Sequence, residues 1–369
     1  MIAVVFAVCQ WMQAAAPAPL PTFQHVVIIS VDGLRPECVM PELEEAYPGL
    51  ARLARGPHTL QGRCDPETSI TLPNHCSLVT GRLASGAAGH GWIKNSDPPS
   101  RLQGGTLDAN HGGYVSSVFD VAHDHGARTA LVAGKLKLVL FEQSYGADAA
   151  EPDSVAPDNG RNKLDVFVCD TEPASQLDSV MATLRRAASC NQQSLTFWHI
   201  PSPDFQGHAT GWDLSNGSLY RKAVQKVDMA LQQLFHELDH DSRLKGRVSI
   251  VLTADHGGGA PHISHTDPLA PLNFTIPFMV WLGADSPSCD LYEMNADCRT
   301  KPLAAERFKA DATPPIRNAD CPNVALALMG LPPIAGSTAN AKQELQIVAP
   351  TTASVSSTRQ QSQSSDTKP

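Results

Sequence analysis

Three long apolar runs restrict the fold of this chain more than any other feature of its sequence. They cover residues 25–31, 194–200 and 248–254. Runs without alternating polar residues are typical of strands that are covered on both faces of a parallel sheet. Helical patterns lie between them, among others at 177–189 and 219–238. We therefore predict an α/β fold with a doubly wound, mostly parallel central sheet, helices on both faces, and loop or lid insertions such as 146–163.

Both ends of the 369-residue chain differ from this pattern. Residues 1–20 combine an apolar run with small residues, and we interpret them as a signal peptide too short to anchor stably in a bilayer. Residues 349–369 are rich in Ser, Thr and Gln and should be disordered. One domain is thus expected over 21–348, in a protein that is secreted or periplasmic and has no stable membrane anchor.

The cysteine count agrees with an oxidising compartment. The chain has nine cysteines, and removal of Cys9 with the signal peptide leaves eight, an even number. Cys289 and Cys298 bracket a short loop and are the best candidate pair, and Cys169 with Cys190 is a second candidate. No cysteines have the CxxC spacing of a zinc site.

The formal net charge of −9 disfavours polyanionic partners. Neither a nucleic-acid duplex nor an anionic membrane is therefore expected as a standing partner. An acidic surface also has a simple explanation in solubility, although it suits a protein whose carboxylates bind metal.

Acidic and imidazole side chains follow the predicted strands. Asp32 comes directly after the first run, and Asp255 and His256 come directly after the third. Ligand sites of open α/β sheets lie beyond the carboxyl ends of the strands. Asp204 and His208 are four residues apart, so a helical turn would place both on one face, where they could share a metal ion. The alternatives are a turn or helix cap at Asp32 and a solvated loop at 204–208.

A hydroxyl-rich stretch at 68–75 supplies a candidate nucleophile. Asn74 to Gly81 is predicted to be a helix, and Thr71 lies just before it. At this place a helix presents amide hydrogens and its positive dipole end to a phosphate group. Ser69 or Thr71 could equally be an ordinary capping hydroxyl.

Taken in order, these motifs resemble one family. Val-Asp32-Gly, Thr71-Leu-Pro-Asn-His, Asp204-x-x-x-His208 and Asp255-His256-Gly are similar to motifs of the alkaline phosphatase superfamily, in its type I phosphodiesterase/nucleotide pyrophosphatase branch. The resemblance extends from about residue 25 to 345. It implies two zinc ions, although other divalent metals are possible.

The resemblance also implies roles for individual residues. One ion would be held by Asp32, Thr71, Asp255 and His256. The second would be held by Asp204, His208 and His265, with His262 as the competitor for the last position. Asn95 would donate to a phosphoryl oxygen.

The implied activity is hydrolysis of small phosphodiesters or pyrophosphates through a phospho-threonine intermediate, with zinc lowering the pKa of the hydroxyl. Two departures limit the assignment of a nucleotide substrate. Leu72 stands where nucleotide pyrophosphatases have a Phe that stacks on the base, and His265 follows His256 by nine residues rather than after a long insertion.

Other functions stay open at this point. A phosphomonoesterase or phosphonate hydrolase could use the same centre, with Lys94 or Lys135 matching the extra charge. A sulfatase is disfavoured because the chain has no Cys-x-Pro-x-Arg sequence. A non-catalytic binding protein that kept the fold is a further alternative.

Overall fold

The computed structural model describes residues 20–40, 43–158, 160–284, 288–307 and 313–348. The segment interpreted as a signal peptide, apart from Leu20, and the tail at 349–369 lie outside the described residues.

The described residues form an eight-stranded sheet with the order β4-β3-β5-β1-β6-β7-β2-β8. The strands are β1 His25–Val31, β2 Pro57–Arg63, β3 Arg128–Ala133, β4 Val166–Cys169, β5 Ser194–Ile200, β6 Val248–Thr253, β7 Thr275–Trp281 and β8 Cys289–Asp290. Strand β7 is antiparallel to both its neighbours, and every other pairing is parallel. The predicted doubly wound, mostly parallel sheet is confirmed.

Helices cover both faces of the sheet. They are α1 Pro48–Ala54, α2 Thr71–Thr80, α3 Leu107–His111, α4 Val118–Asp124, α5 Val139–Tyr145, α6 Pro173–Ser189, α7 Ser202–Thr210, α8 Leu219–His240, α9 Pro271–Phe274, α10 Leu291–Met294 and α11 Cys321–Leu328. One buried cluster includes side chains of α2, α4, α5 and α11, and the other includes side chains of α1, α6 and α8.

Strand β1 shows why the apolar runs are continuous. Val26 and Ile28 belong to the first cluster, whereas Val27 and Ile29 belong to the second. Successive side chains of a strand point to opposite faces, so a strand between two helical layers is buried at every position and is mostly apolar.

Several element boundaries differ from the prediction. Helix α2 begins at Thr71 rather than Asn74, because Pro73 is tolerated in the first turn of a helix, where no intrahelical amide bond is required. It ends at Gly81, whose φ of 64° is the left-handed conformation that glycine adopts readily. The edge strand β4 was not predicted, because it is short and only partly buried and therefore carries little apolar signal.

The predicted disulfides are wrong in this structure. All eight cysteines of the described residues are free thiols. Cys169 ends β4 and Cys190 follows the 17-residue helix α6, so the length of that helix, about 25 Å, separates them. Cys298 instead has Asn295 as a neighbour, with its Sγ 3.8 Å from Oδ1. Cys289 and Cys298 are close in sequence, but they do not form a disulfide bond in this structure.

None of the helices in the described parts of the chain has the length and apolar character required to cross a bilayer.

Candidate active site

Three neighbouring strands bring the predicted residues to one edge of the sheet. Strands β5, β1 and β6 are adjacent and parallel, so their carboxyl ends lie side by side. Asp32 follows β1, and Asp255 with His256 follows β6. Strand β5 leads through Pro201 into α7, which carries Asp204 and His208 one turn apart. Of the two alternatives considered for this motif, a helical turn and a solvated loop, the structure has the helix.

The first group of potential metal ligands contains Asp32, Asp255 and His256. His256 Nε2 lies 3.4 Å from Asp32 Oδ1, 3.2 Å from Asp255 Oδ2 and 3.4 Å from Thr71 Oγ1. Ligand atoms about 2.0–2.2 Å from a tetrahedral zinc ion lie about 3.3–3.6 Å from one another. The observed separations therefore match a site of this size, and all four residues are buried.

The second group contains Asp204, His208 and His265. Asp204 Oδ1 lies 3.4 Å from His208 Nε2 and 3.6 Å from His265 Nε2, and the two imidazole nitrogens are 3.1 Å apart. The side chain of His208 is 45% exposed, so this group faces solvent on one side. His262 is exposed, lies over Gly211 and does not belong to this group.

Three buried carboxylate oxygens face these groups without a partner. Within the described residues, Asp32 Oδ1, Asp204 Oδ1 and Asp255 Oδ2 are buried and have no hydrogen-bond donor. Buried charged oxygens are costly unless a donor or a metal ion satisfies them. Because the orphaned atoms are the same ones that lie next to the imidazole nitrogens, the residues fit a divalent metal ion in each group.

The three histidines are oriented by backbone carbonyls. The Nδ1 atoms of His256, His208 and His265 lie 2.7, 3.0 and 2.6 Å from the carbonyl oxygens of Gly257, Ile263 and Ser69. Nδ1–H therefore donates, and the Nε2 lone pair faces the site, which is the tautomer that binds metal.

Burial also keeps two of these imidazoles neutral. It lowers the pKa of His256, and burial together with the neighbouring His256 lowers the pKa of His265 to about 2. A neutral imidazole is the form that ligates a metal ion.

Lys135 binds the second oxygen, Oδ2, of both Asp32 and Asp204. Its Nζ lies 2.6 Å from Asp32 Oδ2 and 2.6 Å from Asp204 Oδ2, so one ammonium joins the two groups. Burial alone would raise the pKa of Asp32, but Lys135 and a hydrogen bond from His199 outweigh it and hold this pKa well below its usual range. Asp32 is thus kept ionised.

Two buried histidines were not assigned a role from the sequence. His199 lies in β5 opposite Ser30 of β1, and its Nε2 is 3.0 Å from Asp32 Oδ2. His75 Nδ1–H donates to the Thr71 carbonyl at 2.8 Å, and Ser30 Oγ lies 2.9 Å from its Nε2. The signal that could have identified His199 is an imidazole near the carboxyl end of a fully buried strand.

Thr71 occupies the first turn of α2 rather than the position before the helix. No side chain caps this helix, and Ser69 Oγ donates instead to the His265 carbonyl at 2.5 Å. The capping interpretation of these two hydroxyls is therefore wrong. The Leu72 side chain is fully buried in the core, so it offers no surface to a substrate.

Asn95 lies at the same helix end. The Leu72 amide donates to Asn95 Oδ1 at 2.9 Å, and Lys137 Nζ donates to the same oxygen at 3.2 Å. Since both donors use Oδ1, the Nδ2 group of Asn95 remains able to donate. The Leu72 amide therefore orients Asn95 in this structure.

A third group of potential ligands contains none of the predicted site residues and consists of His123, Asp124 and Asp153. Lys163 is buried between the two carboxylates, 2.8 Å from Asp124 Oδ1 and in contact with Asp153 Oδ1. Its ammonium already takes the place of a cation, so this group ties the 146–163 loop to α4.

Comparison with known proteins agrees with this geometry. Residues 26–313 match the type I phosphodiesterase/nucleotide pyrophosphatase family. A search of the curated proteins found no match.

Solved structures share the fold. A protein of the alkaline phosphatase superfamily from Vibrio parahaemolyticus is similar with a TM-score of 0.56 and 14% identity, covering 89% of this chain and 72% of that one. The lipoteichoic acid synthase LtaP from Listeria monocytogenes has a TM-score of 0.53 and 15% identity, covering 83% and 72%. At these identities the similarity concerns the fold alone.

The match to the family covers most of the chain, and it was found independently of the site geometry. Family and fold together support a phosphoric ester hydrolase of the alkaline phosphatase superfamily. This chain belongs to the type I phosphodiesterase/nucleotide pyrophosphatase family.

Proposed function

We propose that the protein is a two-zinc phosphodiesterase or nucleotide pyrophosphatase that acts on small phosphodiesters or pyrophosphates with Thr71 as nucleophile. The observation that carries this proposal is the set of three orphaned carboxylate oxygens around His256 and His265, with Thr71 Oγ1 3.4 Å from His256 Nε2. A buried hydroxyl beside two potential metal groups has no evident structural task, since it does not cap its helix.

The residues would divide between two ions as the family resemblance implies. Asp32, Asp255, His256 and Thr71 would hold one, and Asp204, His208 and His265 would hold the other. Bound metals would make the hydroxyl and a water molecule more acidic and would offset charge on the leaving oxygen.

The reaction would proceed in two displacements. Thr71 Oγ gives up its proton to solvent and forms a bond to phosphorus, while the bond to the leaving oxygen breaks and that oxygen keeps the electron pair. A water molecule then loses a proton to solvent as its oxygen attacks the phosphorus of phospho-Thr71, and Oγ departs with its electron pair and takes up a proton from solvent. Asn95 Nδ2 would donate to a phosphoryl oxygen in both steps.

A phosphomonoesterase or phosphonate hydrolase is the second candidate. Lys135 lies at the site as this candidate requires, although its ammonium is paired with Asp32 and Asp204. A phosphoryl dianion needs more positive charge than a diester does. Lys94, the other lysine considered for this task, is exposed.

We also propose that the protein is secreted or periplasmic.

The test compares hydrolysis of bis(p-nitrophenyl) phosphate and p-nitrophenyl phosphate by zinc-loaded protein. Wild type, Thr71→Ala and Thr71→Ser should be measured side by side. We expect diester hydrolysis that falls at least about 10³-fold in Thr71→Ala and survives in part in Thr71→Ser, which keeps a hydroxyl. Monoester preference would support the second candidate.

Two results would contradict the proposal. Activity that persists in Thr71→Ala would exclude Thr71 as nucleophile. A correctly folded, zinc-loaded wild type that hydrolyses neither compound would favour the non-catalytic alternative.

A further inference from the structure

Lys137 places a second ammonium group at the site, and its surroundings differ from those of Lys135. It lies in the 3-10 turn Leu136–Leu138 that follows β3, and its Nζ is 3.2 Å from Asn95 Oδ1. Lys135 has a carboxylate on each side. In the described parts of the chain, Asn95 Oδ1 is the sole hydrogen-bond partner of the Lys137 ammonium, and no carboxylate lies within 4 Å of it.

Among the described residues, the Lys137 ammonium therefore has no paired negative charge and has N–H donors to spare. An ammonium has three N–H donors, and Asn95 accepts from one of them. Lys137 is partly buried, and burial and the Lys135 charge both lower its pKa, while Asp32, Asp204 and Asp97 act in the opposite direction from a greater distance. A partly desolvated cation without a counter-charge is unfavourable, so its position requires a compensating partner.

The position of Lys137 indicates what that partner is. Asn95 Oδ1 also accepts the amide of Leu72, the residue that follows Thr71. Lys137 therefore lies beside Asn95 near the first turn of α2, whereas Lys135 pairs with the carboxylates of Asp32 and Asp204. An anion bound by Asn95 Nδ2 would lie next to the Lys137 ammonium.

We propose that Lys137 is a specificity-determining residue that binds a second negative charge on the substrate, beside the phosphoryl oxygen held by Asn95. This inference rests on the proposed function and narrows its substrate class. A diester with two uncharged substituents carries a single negative charge and would leave Lys137 unpaired. A phosphoryl dianion carries the second charge on the transferred group, and a pyrophosphate linkage carries it on the leaving group.

A purely structural role for Lys137 makes a different prediction. If Lys137 only held Asn95 in place, its loss would lower kcat/KM for every substrate by the same factor. A role in recognising charge would change the ratio between substrates instead. The test therefore needs substrates that differ in the number and the place of their charges.

Three substrates fulfil this requirement, namely bis(p-nitrophenyl) phosphate, p-nitrophenyl phosphate and ATP. Their kcat/KM values should be measured with zinc-loaded wild type, Lys137→Gln and Lys137→Arg. Lys245→Gln is the matched control, because Lys245 is exposed in the turn before β6, at the opposite edge of the sheet.

We expect Lys137→Gln to lower kcat/KM for a doubly charged substrate about tenfold or more relative to the singly charged diester, as loss of a charged hydrogen bond does. Lys137→Arg and Lys245→Gln should keep the wild-type order of preference. A loss confined to p-nitrophenyl phosphate would place the charge on the phosphoryl group, and a loss confined to ATP would place it on the leaving group. Equal losses for all three substrates, or no loss, would overturn the inference.

A binding measurement separates this inference from the proposed function. Inorganic phosphate and inorganic pyrophosphate should each be titrated calorimetrically into zinc-loaded Thr71→Ala with and without Lys137→Gln. The added substitution should weaken binding of at least one of the two anions about tenfold, even if the wild type proves inactive on all three substrates. Equal affinity of both anions in the two proteins would contradict the role of Lys137 irrespective of turnover.

Discussion

His199 Nε2 lies 3.0 Å from Asp32 Oδ2, and the Gly134 amide donates to His199 Nδ1 at 2.9 Å. Because Nδ1 accepts, Nε2 must carry the proton and donate it to Asp32. The hydrogen bond occupies the outer oxygen of Asp32 and directs Oδ1 towards His256. His199 is thus a positioning residue for the first group of potential ligands.

Replacement of His199 should weaken metal binding without removing a ligand. We expect His199→Ala to lower zinc affinity about 10–100-fold, the usual effect of losing a partner of a metal ligand. Calorimetric titration of zinc into metal-free protein measures this directly. His236→Ala, which removes an exposed histidine of α8, serves as the control. Equal zinc affinity in His199→Ala and wild type would contradict the positioning role.

The choice between His265 and His262 can be tested by metal content. His265 Nε2 faces Asp204, whereas His262 lies over Gly211. His265→Ala should therefore retain about one zinc ion per chain after dialysis, and His262→Ala should retain about two. Inductively coupled plasma mass spectrometry gives the ratio. Loss of an ion in His262→Ala but not in His265→Ala would reverse the assignment.

Gly207 is expected to be intolerant of a side chain. It lies in α7 between Asp204 and His208, and a Cβ added there would be 2.3 Å from Trp212 Cε2. Alanine would favour the helix by about 1 kcal/mol, but overpacking against the indole costs about 1–3 kcal/mol. We expect Gly207→Ala to lower the melting temperature and to weaken binding at the second group.

Gly113→Ala is the matched control for this change, because a Cβ at Gly113 would meet nothing within 4 Å. A melting temperature in Gly207→Ala at or above that of Gly113→Ala would show that Trp212 moves aside easily.

The pH dependence of stability has a specific contribution from His25. Burial, with a smaller effect from Arg247, lowers the pKa of His25 to about 4. The unfolded chain binds this proton near pH 6.5, so the stabilisation is complete above about pH 6.5 and is lost as the pH falls towards 4. The loss amounts to about 3 kcal/mol over this interval.

Urea unfolding of wild type and His25→Gln at several pH values between 4 and 7 isolates this contribution. The free energy of unfolding should fall more steeply with decreasing pH in the wild type, by about 1.4 kcal/mol per pH unit. Comparison with the variant is needed because Asp255 contributes to the pH dependence of stability with the opposite sign. Burial and Asp32 raise the pKa of Asp255. An unfolding free energy that falls equally with pH in wild type and His25→Gln would contradict the prediction.

The parts of the fold predicted from the sequence are those with a strong local signal. The β1, β5 and β6 runs are buried at every position and mostly apolar, because they lie between two helical layers. Such runs can be recognised in the sequence because they consist of consecutive residues. The Asp204–His208 spacing is compatible with a helical turn but left a solvated loop as an alternative.

The contacts that could not be predicted join distant parts of the chain. Lys135 bridges carboxylates that lie 103 and 69 residues away in sequence, at Asp32 and Asp204. Only the order of the strands brings β3 beside β5 and so places Lys135 between these residues. The same order brings Lys137 to Asn95 and His199 to Asp32. Lysines and histidines outside a motif carry no spacing signal for such contacts.

The two groups of potential ligands are built on segments of different stability. Asp32, Asp255 and His256 directly follow central strands, whereas His265 lies in the irregular connection 257–270 between β6 and α9. Irregular connections open locally at a smaller free-energy cost than central strands do. Opening of this connection would withdraw His265 and leave the first group whole. In a chain opened in this way, the second group would keep only Asp204 and His208, both carried by α7.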